Sequence, residues 1–490
     1  MPKDNNPQLE DIRLLLLNFS VYGGVGLLSK LVSFISIPLL TFHLNIGEYG
    51  ALEFFYTLSY LLVVISIFGQ DAALARYFYE SKSIDDQQSL VTSSLSLQLL
   101  LAALVVTGFW LIAEKISYFL INVADRLIFF QLVLLQVPFL LIIEFCAGLL
   151  KWAMARTAFV VLTVGFSFFQ LFTLVAAIVI FELNIYSALV ANFFASFLFA
   201  IVGLFLIRNW LCWPKNFLHL KKLLSFALPL GIVSIIISIQ PIVERALIDK
   251  YIGLEALGVY ALASKILLIV ALVFSAFQSA WGPFSMTSLN KNYATETRDL
   301  VAKLFCSLGC VFVLLIGLFS DPLIRILGND QYLDGTTIVI ILALGQLIQH
   351  LFWIFELGIR ISKKTYLTTL SFITGFLVMV TLVSLLATRY GLLGLALGVL
   401  AGKFTTLIVS LIFAYKITQL RYDYRSIFLL LGATTILVLI VVAAGLRYGH
   451  EISSLILLIG ICLLLSLSWT KLFSAKERSV IIKALAPRGG

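Results

Sequence analysis

The sequence predicts an all-α, polytopic membrane protein with about fourteen transmembrane helices. The first indication is the composition, because 61% of the 490 residues are hydrophobic and only 12% are charged. A water-soluble chain of this composition would lack the polar residues needed to cover its surface. The second indication is that the apolar segments run continuously for about 20 residues, the length of a membrane-crossing helix. They do not show the short alternating pattern of a transmembrane barrel strand.

The apolar segments follow one another along the chain with short connections. We place them near residues 18–40, 49–70, 89–113, 127–149, 157–181, 187–207, 223–245, 255–278, 300–320, 336–359, 366–387, 391–415, 426–446 and 452–470. With the N-terminus inside, most of the 34 Lys and Arg residues fall on the cytoplasmic connections. This asymmetry predicts a multi-pass protein with both termini in the cytoplasm. No small-residue cleavage site follows the first segment, so we expect it to be an uncleaved span.

A basic connection that contains two tryptophans divides the predicted spans into two sets. The predicted order is an N-terminal six-helix bundle over 1–207, a cytoplasmic connector over 208–222, a C-terminal six-helix bundle over 223–420, and spans thirteen and fourteen with a cytoplasmic tail over 421–490. A weak repeat supports this division, since Glu48-Tyr49-Gly50 and Gly258-Val259-Tyr260 both occur where the second span of a set begins. Two bundles in parallel repeat would surround a central cavity, with a binding site near the membrane midplane.

Three lysines lie near the middle of predicted spans, namely Lys30, Lys265 and Lys403. A lysine at that depth costs about 2.5–3.5 kcal/mol on insertion scales and is therefore rare on a lipid-facing surface. Small or polar residues accompany each lysine, and Gly26 and Ser33 share the helix face of Lys30. We expect all three ammonium groups to face a wet cavity that binds an anion.

Arg245 is a fourth candidate for the anion site, near the outer end of span seven. Two other roles stay open for Arg245. Its long side chain could reach the membrane interface, or it could pair with the nearby Asp249.

The tenth span carries a neutral polar stripe that is typical of sugar recognition. Gln346, Gln349 and Trp353 recur at helical spacing there, and Tyr260 of span eight is a further candidate. Amide groups hydrogen-bond hydroxyls, and sugar faces stack on aromatic rings. The alternative is that these side chains only form hydrogen bonds between helices.

Carboxylates within or beside the spans suggest coupling to an ion. Glu53, Asp71 and Glu356 are candidates for binding H⁺ or Na⁺. Arg76 is a candidate inner-gate residue, although it could instead form a structural pair with Asp71. We find no phosphate-binding loop signature and no spacing typical of a catalytic triad or a metal site. The sequence therefore predicts neither an enzyme, nor a cofactor, nor a nucleic-acid partner.

Short motifs make the prediction more specific. Pro38-Leu39-Leu40-Thr41 precedes Glu48-Tyr49-Gly50, a run from Gly69 ends in Arg76-Tyr77-Phe78, and Glu244-Arg245 precedes Gly258-Val259-Tyr260-Ala261-Leu262-Ala263-Ser264-Lys265. These motifs resemble those of polysaccharide flippases of the O-antigen type, in the multidrug/oligosaccharidyl-lipid/polysaccharide (MOP) exporter superfamily. Two positions depart from the pattern. Phe42 stands where a basic residue often follows the first motif, and Ile46 stands where a proline often precedes the second.

The resemblance implies a flippase in the bacterial inner membrane that serves surface polysaccharide assembly, including the O-antigen of lipopolysaccharide. Its substrate would be an undecaprenyl-pyrophosphate-linked oligosaccharide, carried from the cytoplasmic to the outer leaflet by alternating access. The polysaccharide polymerase machinery would be a partner. The cations listed above suit the pyrophosphate, and the neutral stripe suits the sugar.

Three other functions remain open at this point. A lipid II flippase would need the same chemistry, whereas a cation-coupled multidrug antiporter would need an acidic or aromatic site. A membrane glycan polymerase or ligase usually has a sizeable outer loop, and the predicted outer loops are short.

Overall fold

The computed structural model describes residues 7–81, 83–181, 184–213, 218–287, 294–362, 364, 366–418 and 422–485. Every regular element in these residues is a helix, which confirms the all-α class. Thirteen of the described helices are long and apolar enough to cross a membrane. One of them, Tyr366–Thr418, has a non-helical glycine, Gly391, with φ 57° and ψ −138°. The break at Gly391 divides this helix into two arms that match predicted spans eleven and twelve, in agreement with about fourteen crossings.

The chain consists of two compact units, Met1–Lys250 and Tyr251–Gly490. The first unit contains α1 (Pro7–His43), α2 (Ile46–Ile67), α3 (Gln70–Glu80), α4 (Ile84–Leu111), α5 (Ala113–Leu120), α6 (Arg126–Trp152), α7 (Arg156–Phe181), α8 (Ile185–Ile207) and α9 (Leu218–Tyr251). The second unit contains α10 (Leu254–Thr287), α11 (Ala294–Leu318), α12 (Ser320–Leu327), α13 (Gly335–Phe355), α14 (Leu357–Ile361), α15 (Tyr366–Thr418), α16 (Tyr424–Tyr448), α17 (His450–Leu467) and α18 (Ala475–Leu485).

The first unit extends beyond the predicted N-terminal bundle, because it includes α9. Leu223 and Ala227 of α9 are fully buried in one apolar cluster with Leu74 and Phe78 of α3. The predicted division of the chain stays a prediction, with bundles at 1–207 and 223–420, the connector at 208–222, and the last two spans with the tail at 421–490. Residues 214–217 of the connector lie outside the described residues.

The repeated motif lies at the start of a helix in both units, as the sequence predicts. In α2 the Asn45 side chain accepts a hydrogen bond from the Glu48 amide at 2.8 Å, and the Glu48 carboxylate accepts one from the Asn45 amide at 3.1 Å. This reciprocal capping box fixes where α2 begins. In the second unit Gly253, with φ 121°, immediately precedes α10. The motif glutamate is thus part of a helix cap.

The two arms of α15 lie against each other along a stripe of small residues. A methyl group built on Gly398 would lie 2.7 Å from Val383, and one on Gly402 would lie 2.6 Å from Met379. Glycine at these positions lets the two arms approach closely, which is common where membrane helices pack. This hairpin, α10 and α11 all contact α13, which is the central helix of the second unit.

Candidate functional site

Lys403, on the second arm of α15, lies across α13 where α13 has a glycine. A Cβ atom on Gly345 would lie 3.2 Å from Lys403 Cδ and 3.7 Å from Lys403 Nζ. The lysine stem therefore crosses α13 in the space that any larger side chain would fill. Its half-buried ammonium group lies against the helix that carries the predicted polar stripe. The sequence placed Lys403 by its depth and its polar neighbours on the same helix, and only the structure shows its contact with α13.

The polar stripe of α13 lies beside this lysine. Gln346, Gln349 and Trp353 are all half-buried, and His350 lies between them in sequence. His350 Nδ1 donates a hydrogen bond to the Gln346 carbonyl oxygen at 2.8 Å. This bond leaves Nε2 as the acceptor of the neutral ring. The His350 ring also interacts electrostatically with Lys403, so a cation and neutral hydrogen-bonding groups lie together in the second unit.

Glu356 takes part in contacts at the end of the stripe. Arg360 Nη2 lies 3.1 Å from Glu356 Oε2, and the Thr368 hydroxyl donates to Glu356 Oε1 at 2.7 Å. The Arg360 guanidinium is also 6.0 Å from the centre of the Trp353 ring. Both oxygens of this buried carboxylate are therefore engaged where α13 gives way to α14. We interpret Glu356 as a structural residue, which leaves its predicted coupling role without support from the geometry.

The two candidates on α10 have different surroundings. Tyr260 is only 3% exposed and lies in the core of the second unit. Its ring is therefore enclosed in the conformation described, and its sugar-facing role stays a prediction. Lys265 is half-exposed. It precedes the core-facing Phe274 by nine residues, about two and a half helical turns, so it lies on the opposite face of α10.

Lys30 belongs to the first unit and is exposed on α1, as is Ser33. A Cβ atom on Gly26 would meet no described atom of a neighbouring element within 4 Å. Close helix packing therefore does not explain this glycine among the described residues. Lys30 is therefore exposed together with the apolar Leu27 and Leu31 of the same helix, and its place in the anion site stays a prediction.

Arg245 is buried in α9 and donates through Nη1 to the Pro241 carbonyl oxygen at 3.2 Å. Asp249, its predicted alternative partner, instead accepts a hydrogen bond from the Asn122 amide at 2.8 Å. The Arg245–Asp249 pair is therefore replaced by a contact between Asp249 and the segment before α6.

The remaining candidates lie along α2 and α3. Glu53 is buried in α2, and Asp71 is exposed in the first turn of α3, where the helix dipole favours a carboxylate. Arg76 Nε lies 2.9 Å from Glu80 Oε1, not beside Asp71 as the alternative interpretation expected. This hydrogen bond raises the pKa of Arg76. The Arg76 guanidinium also lies 5.0 Å from the centre of the Phe226 ring of α9.

Arg76 lies beside a close backbone contact, which we call the elbow contact. Phe68 and Gly69, between α2 and α3, both have positive φ values of 49° and 71°. A Cβ atom on Gly69 would lie 2.6 Å from the Gly231 nitrogen of α9, and one on Gly231 would lie 2.7 Å from the Phe68 oxygen. Only glycine at 69 and 231 allows the two backbones to touch. The sequence carried no signal for Gly231, since a single glycine in an apolar span has no defined partner.

Among the described residues no group of three or more His, Cys, Asp and Glu side chains could hold a metal ion.

Comparison with known proteins identifies the family. A family model described as "Polysaccharide biosynthesis protein" matches residues 15–289. The chain belongs to this family. A curated protein of the Lsg locus of Haemophilus influenzae is 24% identical over 273 residues, which are 54% of this chain and 64% of that protein. The match therefore spans somewhat less than two thirds of the relative's length.

Solved structures show the same fold at low sequence identity. A lipid II flippase MurJ in an inward closed conformation has a TM-score of 0.69 at 14% identity, and the match covers 91% of this chain and 98% of that one. An inward-facing multidrug resistance MATE family transporter of the MOP superfamily has a TM-score of 0.60 at 14% identity, covering 80% and 95%. A MATE transporter of Vibrio cholerae has a TM-score of 0.58 at 16% identity, covering 82% and 95%. These structures show the fold of this chain, and the family match shows that it belongs to the polysaccharide biosynthesis family.

Proposed function

We propose that the protein moves an undecaprenyl-pyrophosphate-linked oligosaccharide from the cytoplasmic to the outer leaflet of the bacterial inner membrane. The observation that carries this proposal is the position of Lys403 across Gly345, beside the polar stripe of α13. A basic residue within a span usually marks the pathway of a substrate or an ion. A pyrophosphate supplies the anion, and the sugar supplies hydroxyls for the stripe.

The proposed mechanism is alternating access between two bundles. Lys30, Lys265 and Lys403 would each contact the pyrophosphate during this cycle. The elbow contact would be the inner gate, with Arg76 at its edge. Glu53 or Asp71 would bind the coupling ion, H⁺ or Na⁺, and both termini would be cytoplasmic. The polymerase machinery would receive the lipid-linked product on the outer side.

A lipid II flippase is the second candidate function. The observation that favours it is the fold similarity to a lipid II flippase, which extends over 91% of this chain. Lipid II has the same pyrophosphate and polyprenyl chemistry, so the cationic site does not separate the two substrates. Growth of a strain depleted of its own lipid II flippase, when this chain is expressed, would select this alternative. A multidrug antiporter for cations fits poorly, because Lys403 would repel such a substrate.

The test of the proposed function is replacement of the membrane lysines. We expect each of Lys30→Ala, Lys265→Ala and Lys403→Ala to lower surface polysaccharide export at least about tenfold, since a hydrogen bond to a charged group contributes about 1.5–3 kcal/mol and about 1.4 kcal/mol is a tenfold change. Export is measured by complementing a deletion strain and quantifying surface glycan. The matched control is Lys416→Ala, which removes an exposed lysine from the end of α15 and should export normally. Normal export by all three single variants, at normal protein levels, would overturn the anion-site proposal.

A second prediction concerns the glycine beneath Lys403. We expect Gly345→Val to reduce export to the level of Lys403→Met, because side-chain atoms at 345 displace the lysine stem that now lies 3.2 Å from the Cβ position. The double variant should lose little more than either single variant, since both changes remove the same interaction. Additive losses would show that Gly345 acts through packing unrelated to Lys403.

A further inference from the structure

A small polar cavity lies at one end of the second unit, where α11 and α16 end and α12, α13 and α17 begin. Its volume is about 30 Å³. A cavity needs roughly 10–15 Å³ to hold one water-sized particle, so this cavity has room for one or two of them. Its lining includes the oxygen-bearing side chains of Ser320, Asp321, Thr336, Thr337, Ser453 and Ser454. The cavity is therefore too small for a sugar or a pyrophosphate, but large enough for a single ion.

Several of the hydroxyl groups in this lining offer lone pairs and not protons. Each of them donates its proton to a backbone carbonyl oxygen three residues earlier in the chain. The donor–acceptor distances are 2.7 Å for Ser320, 2.8 Å for Thr336 and 3.2 Å for Thr337. A hydroxyl group has one proton and two lone pairs. With the proton engaged, these oxygens accept a hydrogen bond from a ligand or bind a cation.

Asp321 adds a charged acceptor to the lining. Its Oδ2 atom lies 3.0 Å from Arg325 Nε, whereas its Oδ1 atom is buried and accepts no hydrogen bond from the described residues. A buried acceptor without a donor is costly, so such an atom calls for a ligand. Arg325 also pairs with Asp330. One guanidinium and two carboxylates together carry one net negative charge, which favours a cation over a neutral water.

A backbone carbonyl group of α11 is a further acceptor. Leu318 lines the cavity and is the last residue of α11. A helical carbonyl accepts from the N–H group four residues later, but that residue is Pro322, which has no N–H group. Carbonyl groups at helix C-termini bind Na⁺ in membrane transporters. The N-termini of α12, α13 and α17 favour an anion instead, and Asp321 in the first turn of α12 already supplies that negative charge.

We propose that this cavity binds one Na⁺ ion. The ligands that the lining supplies are Asp321 Oδ1, the Leu318 carbonyl oxygen and the hydroxyl oxygens described above. Mg²⁺ keeps several waters of its hydration shell, and a cavity of about 30 Å³ has no room for them. Ca²⁺ binds more tightly as the number of charged ligands rises, and this lining supplies a single carboxylate. A monovalent ion suits one carboxylate oxygen among neutral oxygens.

The site joins the last two long helices to the rest of the second unit. Gly445 of α16 and Ser453 of α17 line the cavity together with Asp321 of α12 and Thr336 of α13. An ion that binds only the folded protein stabilises it by mass action, so Na⁺ holds these four helices together. This role goes beyond the proposed transport function and does not depend on it, since neither the membrane lysines nor the predicted coupling carboxylates line the cavity.

The test compares the purified, full-length protein in sodium chloride and in choline chloride at the same concentration, so that only the cation differs. We expect Na⁺ to raise the unfolding temperature as its concentration rises. Equilibrium binding of radiolabelled Na⁺ measures the affinity, which Asp321→Asn should lower at least tenfold. The matched control is Asp334→Asn, which removes an exposed carboxylate that caps no helix through its side chain. This control should bind Na⁺ as the parent does.

Equal unfolding temperatures of the parent in the two salts, without displaceable radiolabelled Na⁺, would show that the cavity holds water only and would overturn the proposal. Parent-like affinity in folded Asp321→Asn would overturn it as well. If Asp321→Asn does not fold, Gly445→Ala takes its place. Its methyl group joins the lining at an ordinary contact distance of 3.8 Å from Ser453 Oγ, so the variant should fold and bind Na⁺ more weakly. Parent-like binding by Gly445→Ala would then count against the site.

Discussion

Replacing Gly231 by valine is expected to drive the protein out of the conformation described above. Side-chain atoms at 231 would meet the Phe68 carbonyl group at 2.7 Å or less, and a backbone cannot yield as a flexible side chain does. Overpacking of this kind costs about 1–3 kcal/mol. A conformation without the elbow contact avoids that cost, so its population should rise about tenfold to hundredfold.

The measurement is the labelling rate of a reporter at Ala227→Cys, which is fully buried in the elbow contact. A membrane-impermeant maleimide should label the reporter at least tenfold faster in Gly231→Val than in the parent. Gly108→Val is the matched control, because a Cβ atom on Gly108 would meet no described atom of another element within 4 Å. Export should fall with the first variant and persist with the second.

A cross-link tests the same contact in the opposite direction. The Tyr77 and Phe226 rings lie 6.1 Å apart between α3 and α9. Cysteines at both positions, joined by a short bifunctional maleimide, should hold the elbow contact closed and abolish export, while either single cysteine exports. Export by the cross-linked protein would show that the elbow contact is a permanent part of the first unit and not a gate.

Replacing Lys303 by methionine is expected to destabilise the second unit by about 3 kcal/mol, the lower end of the range for removing one partner of a buried ion pair. The Lys303 side chain is 7% exposed, and its Nζ lies 2.9 Å from Asp299, 3.2 Å from Asp423 and 3.2 Å from Glu477. Methionine preserves the volume of the stem but leaves three carboxylates close together without their cation. The carboxylates are partly exposed, which is why we expect the lower end of the range.

This cluster joins α11, the start of α16 and the terminal helix α18, so its loss should release α18 first. Limited proteolysis of the C-terminal segment and thermal unfolding measure the two effects. The matched control is Lys476→Met, which removes a solvent-exposed ion pair at 2.9 Å between Lys476 of α18 and Glu296 of α11. Exposed pairs contribute little, so the control should keep α18 attached. A protected α18 in Lys303→Met would contradict the proposed role of the cluster.

The same cluster predicts how stability depends on pH. Burial alone would raise the pKa of Asp423, but hydrogen bonds from Ser426 and Lys303 outweigh it and lower the pKa. Burial is likewise outweighed at Glu477 by hydrogen bonds from Ser474 and Lys303, so its pKa is also lowered. A carboxyl group whose pKa is lower in the folded than in the unfolded protein stabilises the folded state when the pH is above the unfolded pKa, which is about 4. This stabilisation is lost as the pH falls through the folded pKa. Release of α18 should therefore begin below about pH 4, and Lys303→Met should weaken this dependence.

The sequence alone was sufficient for properties that depend on position along a helix. Hydropathy identified the spans because the hydrocarbon core of the bilayer admits only apolar segments of sufficient length. The depth of a residue in the membrane follows from its position along the span, since an α-helix rises about 1.5 Å per residue. The same reasoning placed Lys30, Lys265 and Lys403 at costly depths. Motif resemblance indicated a family of polysaccharide proteins, in agreement with the family match, and the cap formed by Asn45 and Glu48 shows that one of these motifs marks a helix start.

Properties that depend on which helix faces which were decided only by the tertiary structure. Tyr260 matched a motif yet lies in the core, and Lys403, which had only its depth, has the most definite surroundings because Gly345 admits it. Gly231 gave no local pattern, and two of the three carboxylates around Lys303 lie far away in the sequence. Hydropathy specifies how deep a residue lies, whereas its neighbours depend on helix rotation and packing, which are set by contacts between distant segments.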